Sequence, residues 1–422
     1  MIFRLAIRNL FRKRWRSLLT ASGIAVAVAI LVWMVCWMDS FNDLLIKGAT
    51  SLDIGQVQVQ SQAYIDKANL YNSFPVSGAH LDEVRKLENV GGAVARVHVY
   101  GLVGNEERSQ VARITGVQPE DERRVTSVVD GLQAGSWLSE TPAGPGPREL
   151  VLGAALAKLL QVEVGDELVL FLQAADGSLG NELGKVIGVV KTGSTLIDRN
   201  TVFMHIDDVQ YVAALDGQAH EVSIKVTDLS AIAEVSAAVA ALVTVDGEQD
   251  PKRLLVSRTW EKVRPQMSKM VEMNSQSTGV LYFIIYLIAG LGILNAQRMS
   301  ALERRREFGV LLAVGISPAK LWLSIVVETL VLTLLGAALG AALGATISEY
   351  HTVVGLDYSV FSSAENISFM GVSFSERTYF DLELQHVVDP VVVIAFVGIL
   401  CGLWPATSAS RLNPMRAISG RS

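Results

Sequence analysis

Four stretches of the chain stay apolar long enough to cross a bilayer: residues 18–38, 277–296, 321–347 and 387–405. The first runs 21 residues without a charge, and a helix of that length covers roughly 30 Å of hydrocarbon. A cleaved signal peptide is the rival reading of this stretch. Its apolar run exceeds the roughly 7–15 residues of a signal h-region, which favours an uncleaved anchor. Residues 39–276 follow a different pattern, with short alternating runs broken by turn residues, and are numerous enough to bury a core of their own.

Within that region, Gln56 to Gln60 alternate as a strand should, and residues 93–103 and 109–117 do so again. Residues 80–88 suit a short helix with Ser77 as its cap. A turn rich in proline and glycine at 142–147 marks a junction or an exposed loop. Beyond it, strands are predicted at 149–152, 167–173, 185–191, 201–206 and 220–226, with 167–173 and 185–191 pairing as a hairpin. Helices are predicted at 154–160, from an Asp207 cap to 214, and at 229–243. The recurrence suggests two small α/β lobes. Residues 257–274 form a charged helix leading into the second span, a stalk able to convert span tilt into lobe movement.

Charge then orients the spans. Arg4, Arg8, Arg12, Lys13, Arg14 and Arg16 precede the first span without an acid. Arg298, Arg304, Arg305, Arg306 and Lys320 lie between the second and third, and Arg411, Arg416 and Arg421 follow the fourth. The segment between spans three and four holds six acids against Arg377 alone. The positive-inside rule therefore places both termini and residues 297–320 in the cytoplasm, with 39–276 and 348–386 outside. Residues 1–17 read as an amphipathic helix at the interface, its arginines recurring every fourth position, or equally as a basic topogenic flank.

Half of the 422 residues are hydrophobic, as such a layout requires, and catalytic chemistry is hard to find among the rest. No phosphate-binding G-x-x-x-x-G-K-[ST] loop, H-E-x-x-H or G-x-S-x-G occurs. The two cysteines, Cys36 and Cys401, fall inside predicted spans and match no zinc spacing. The six histidines are scattered and read as surface residues of strands and loops. The acid pairs Glu106-Glu107 and Asp207-Asp208 read as solvated charge. The expectation is a non-enzyme with no cofactor, no metal and no nucleic-acid partner.

Two features inside the membrane region stand out. Glu328 is an acid within the third span, where ionisable groups are costly; a structural ion pair with Lys320 or an arginine, or a proton relay, would explain it. Gly336, Gly340 and Gly344 recur every four residues, a pattern that lets helices pack closely, within the subunit or across a dimer. Before this span, Glu303, Arg304, Arg305, Arg306 and Glu307 make a dense charged cluster, followed by Phe308, Gly309, Leu312 and Gly315. A stop-transfer flank would suffice for the charge. Phe308, Leu311, Leu312 and Val314 add an apolar face that could insert into a partner's groove.

The run from Glu303 to Gly309, with Leu312 to Ser317 after it, resembles the coupling segment of FtsX-type permeases. Leu403 to Ala406 and Arg411 to Ala417 resemble the closing motif of the same superfamily, which includes MacB, LolC and LolE. Residues 149–169, with Val151-Leu152-Gly153 and Val164-Gly165-Asp166, are similar to its periplasmic domain. The resemblance implies a bacterial inner-membrane protein of four transmembrane helices, with a large α/β periplasmic domain of porter and sabre lobes inserted between helices one and two. It implies a permease dimer, homo- or heteromeric, gripped at Glu303–Gly315 by a cytoplasmic ABC ATPase dimer that binds the ATP. Its implied work is mechanotransmission that extrudes or extracts a hydrophobic cargo, with lipoprotein the first expectation and a periplasmic carrier a possible partner. Export of peptide, drug or lipid through an outer-membrane partner and FtsX-like regulation of a periplasmic enzyme are the alternatives.

Overall fold

The structure, a computed structural model, describes residues 14–144, 146–243, 250–357, 368–369, 372–373 and 377–419. The expected interfacial helix before Arg14 and most of the loop after the third span lie outside them. Two compact units divide the chain.

One unit holds four helices long and apolar enough to cross a membrane: α1 (Arg14–Thr50), α7 (Pro265–Glu303), α9 (Pro318–Val354) and α10 (Leu384–Ser410). Each outruns its predicted span, because helix persists past the apolar run wherever nothing breaks it. What breaks it is local. Gly315 adopts φ +99° and Pro318 opens α9 at a position where its missing N–H costs nothing. Between them and α7 sits the short helix α8 (Arg305–Ala313), and α11 (Pro414–Ser419) follows the last span. Pro390 and Pro405 lie inside α10, as transmembrane helices tolerate.

The other unit, built from residues 43–272, centres on a mixed ten-stranded sheet. Its strands are β1 (Val57–Ser61), β2 (Val90–Gly104), β3 (Ser109–Val117), β4 (Leu132–Gly135), β5 (Arg148–Gly153), β6 (Glu167–Gln173), β7 (Leu179–Val190), β8 (Thr201–His205), β9 (Glu221–Val226) and β10 (Leu255–Thr259). Their order is β10-β1-β9-β2-β3-β8-β5-β7-β4, with β6 bonded to β2 and β7. Pairs β3–β8 and β5–β7 are parallel. One sheet thus runs through both regions of recurring strand and helix. The predicted hairpin forms, Glu167 opposite Lys185, although its second strand begins at Leu179. In β6, Leu168, Leu170 and Leu172 face the core while Glu167, Phe171 and Gln173 face out, the period-two signal in its plain form.

Helices α2 (Gly78–Arg85), α3 (Pro119–Val125), α4 (Ala154–Leu160), α5 (Ile206–Ala213) and α6 (Ile232–Val243) accompany the sheet. Ser77 caps α2, accepting from the His80 N–H. The cap of α5 is His205, not Asp207: the His205 ring nitrogen takes the Asp207 N–H and the helix starts two residues earlier than expected.

Candidate functional site

The break between α7 and α8 falls at Arg304, whose side chain joins three elements. Its guanidinium grips both carboxylate oxygens of Glu328 in α9, at 2.7 and 2.8 Å. Its Nε donates to Glu307 in α8 at 3.3 Å, and its Cζ lies 5.0 Å from the centre of the Phe308 ring. Arg304 and Glu328 are 15% and 13% exposed. Both bonds come from Nη1, and a charge-assisted contact so sheltered is stronger than an exposed one. Glu328, expected to need a cation, therefore has one.

Phe308 corrects an expectation. It does not present itself to a partner but is buried against Leu321, Ile325 and Val326 of α9 and Ala406 and Ala409 of α10, with Leu312 packed at the edge. Gly309 is buried beside it. The 3.6-residue period turns Phe308 and Leu312 to the same side, which leaves Val310, Leu311 and Val314 exposed at 46%, 37% and 79%. Arg305, Arg306 and Gly315 are exposed with them, and Glu303 closes α7. The segment thus has an anchored face and an open face, the latter cationic at one end and aliphatic at the other.

Gly336, Gly340 and Gly344 lie on one face of α9 against α1 of the same chain. A β-carbon on Gly336 would come within 2.9 Å of the Ala21 carbonyl oxygen, and one on Gly344 within 2.8 Å of the Ala29 oxygen. At Gly340 it would strike the Ala25 oxygen and approach the Val28 β-carbon to 2.8 Å. Three glycines thus let two helix backbones touch along two turns. Gly398 and Gly402 of α10 meet Thr333 and Thr329 of α9 in the same manner. Gly340→Leu is expected to push α1 from α9 and destabilise the bundle by about 1–3 kcal/mol. Leu339→Ala, at a residue 58% exposed, should change it far less. Thermal unfolding of both in detergent checks this, and equal losses would remove the seam from the account.

The outer domain holds a different cluster, one that periodicity did not suggest. Arg96 of β2 is 2% exposed and chelates Glu122 of α3 through Nη2 at 2.6 Å and Nε at 3.0 Å. Its Nη1 reaches Glu221 of β9 at 3.2 Å. Asp53 accepts from Arg113 of β3 at 3.2 Å and from Arg264 at 3.0 Å. Burial alone would raise the Asp53 and Glu221 pKa values. Arg113, Arg96 and Arg264 outweigh it at Asp53 and hold that carboxyl well below the usual range. His98 and Arg96 do the same at Glu221, carrying it down to about 2. Gln58 and Gln60 of β1 face this cluster, donating to Ser223 and Glu221. Asp53 precedes the first strand and Arg264 the second span, so the two chain segments that connect the domain to its membrane helices are tied to each other through one carboxylate.

The surface reading of the histidines holds for His80 and fails for four others. His98, His205, His220 and His386 are buried. His220 takes the backbone N–H of His98 on Nδ1 at 3.1 Å and sets Nε2 3.1 Å from the Leu70 carbonyl oxygen. One nitrogen accepts and the other donates, which only the neutral ring can do. Burial and then His98 press its pKa down to about 4. Between about pH 6.5, where an unfolded histidine titrates, and about 4, the unfolded chain binds the extra proton, so stability falls as pH falls. His220→Gln should flatten that slope and leave the fold intact at pH 7. Unfolding curves at pH 7, 5.5 and 4.5 test it; a slope unchanged in the variant would place the titration elsewhere. Asp208 likewise is not solvated but buried, paired with Arg148 at 2.8 Å, whereas Glu106 and Glu107 are exposed as expected.

Among the described residues, no group of histidines, cysteines and acids could hold a metal ion. Residues 17–242 match the model of the MacB-like periplasmic core domain and 279–414 that of the FtsX-like permease C-terminal region. The lipoprotein-releasing system transmembrane protein LolC of Xylella fastidiosa is 23% identical over 95% of this chain and 93% of its own. The macrolide export ATP-binding/permease protein MacB of Campylobacter jejuni is 22% identical over 99% of this chain, which spans 61% of its length. The crystal structure of the periplasmic region of MacB from Actinobacillus actinomycetemcomitans aligns with 53% of this chain at 13% identity and a TM-score of 0.37. With a large α/β domain inserted after the first of four apolar helices and a family model matched over more than half its length, the chain belongs to the MacB/LolC/FtsX superfamily of ABC-transporter permeases.

Proposed function

We propose that the chain is a membrane subunit through which a separate cytoplasmic ABC ATPase moves the outer domain, extruding or extracting a hydrophobic cargo. Lipoprotein is the cargo we favour, on the full-length likeness to LolC. The observation that carries the reading is the Arg304 node. An ATPase pressing on the open face of α8, with Arg305, Arg306, Val310, Leu311 and Val314, pushes on a helix that cannot swing freely. Phe308 and the Arg304–Glu328 pair fasten it to α9 and α10. Close backbone contact at Gly336, Gly340 and Gly344 carries displacement of α9 into α1, and α1 leads into the outer domain. In this reading both termini and α8 face the cytoplasm, the outer domain faces the periplasm, and a second permease subunit completes the assembly.

Affinity capture of the full chain from its native membranes tests it. The wild type should bring down an ABC ATPase. Val314→Asp, which puts a charge on the open face of α8, should lose it while remaining in the membrane fraction. Capture of no ATPase by the wild type would defeat the proposal, and undiminished capture by the variant would move the docking face elsewhere.

A further inference from the structure

An open groove runs along the seam between α7 and α10. Two cavities of about 410 and 320 Å³ lie end to end there and share Leu294, Leu400 and Cys401. Gly290 lets the two helices meet at the floor of the groove: a β-carbon there would come within 2.9 Å of Val397 Cγ1, and the Cys401 thiol donates to the Gly290 carbonyl oxygen at 3.2 Å. The walls are apolar, with Leu287 and Leu291 half exposed to whatever surrounds the helices. From Phe283 to Arg298 the groove runs along about 22 Å of helix, longer than the roughly 15 Å that one leaflet contributes to a bilayer.

The polar end is specific. Arg298 lines the end of the groove nearest α8, exposed, with its guanidinium 5.0 Å from the centre of the Trp404 ring. A guanidinium stacked on an aromatic face keeps its in-plane N–H donors for an oxyanion. Tryptophan favours the depth at which headgroups begin. An apolar trough about one acyl chain long, ending in a positioned cation beside an interfacial tryptophan, is complementary to a single ligand chemistry.

We propose that the α7–α10 seam binds one anionic diacyl phospholipid, an acyl chain along Leu287, Gly290, Leu294 and Val397 and the phosphate on Arg298. The site is separate from the open face of α8 and does not depend on the ATPase. A phospholipid seated there wedges the helix that leaves the outer domain against the one that packs on α9, so membrane composition would set how α7 moves relative to the rest of the bundle.

Native mass spectrometry of the full-length chain, released from detergent with chain-matched phosphatidylglycerol or phosphatidylcholine, provides the test. Wild type should retain one phosphatidylglycerol roughly fivefold more than phosphatidylcholine, the preference one arginine gives at an anionic surface. Arg298→Gln should bring the two lipids level, and Arg298→Lys should keep most of the preference. Leu294→Trp, which fills the trough, should lower retention of both. Glycerol phosphate, the headgroup without chains, should not compete. Equal retention by wild type, a preference that survives Arg298→Gln, or competition by glycerol phosphate would overturn the proposal. So would a wild-type dimer that Leu294→Trp dissociates without changing lipid retention, since a second copy would then be what covers the seam.

Discussion

Arg96→Leu is expected to cost the outer domain about 3–5 kcal/mol, the toll of stripping a buried ion of its partner. Total stabilities of only about 5–15 kcal/mol make that a threat to folding. The loss is large because the substitution takes both guanidinium bonds from Glu122, whose side chain is 1% exposed, and one partner from Glu221, 9% exposed, leaving it His98 and Gln60. Neither can reach water without opening the sheet. Arg96→Lys should recover only part of the loss, since an ammonium cannot hold both Glu122 oxygens while reaching Glu221. Arg124→Leu provides the contrast. Its pair with Glu120 is more than half exposed on both sides, and removing it should cost no more than about 1 kcal/mol. Urea unfolding followed by tryptophan fluorescence separates the cases. Similar midpoints for the two leucine variants would show that the cluster is not buried as described.

The second large effect is expected at Arg304. Arg304→Leu takes the guanidinium from the sheltered Glu328 carboxylate and from Glu307, with an expected penalty of up to about 3–5 kcal/mol and loss of ATPase capture. Adding Glu328→Leu should return most of the thermal stability, because replacing both members of a buried pair by apolar groups is often neutral or favourable. Capture should not return with it, since Glu307 and Phe308 still lack the guanidinium that orients α8. A double variant that stays as unstable as the single one would mean that Arg304 and Glu328 do not act on each other. A proton relay makes a different forecast. Glu328→Gln alone would then stop function while leaving stability and ATPase capture unchanged.

The legibility of these features differs for physical reasons. A bilayer demands an unbroken apolar run, so all four membrane helices stood out in the pattern even though their ends did not. Glu328 drew notice because an acid in such a run is rare, yet its partner sits 24 residues earlier, and no periodicity links the two. The glycine spacing marked one face of α9 without naming α1 as its neighbour. In the outer domain, strand alternation placed Arg96 and His98 on the face opposite Val97. It could not tell a solvated face from one sealed over an ion cluster, because the sealing residues, Glu122 and Glu221, come from 26 and 125 positions away. His220 was hidden in the same way, and Asp208, on α5, because its partner Arg148 lies 60 positions away. Phe308 was misplaced because a four-residue apolar set on a short helix fits a partner's groove and the protein's own core equally well.

The claim on which the rest depends is that nucleotide events at α8 reach the outer domain. Spin labels at Tyr100, 67% exposed on β2, and at Val392, 59% exposed on α10, report it in the complex captured with its ATPase. The interspin distance should shift when ATP is bound and return after hydrolysis, and Gly340→Leu should uncouple that shift from nucleotide turnover. A distance that stays fixed while the complex hydrolyses ATP would contradict the account.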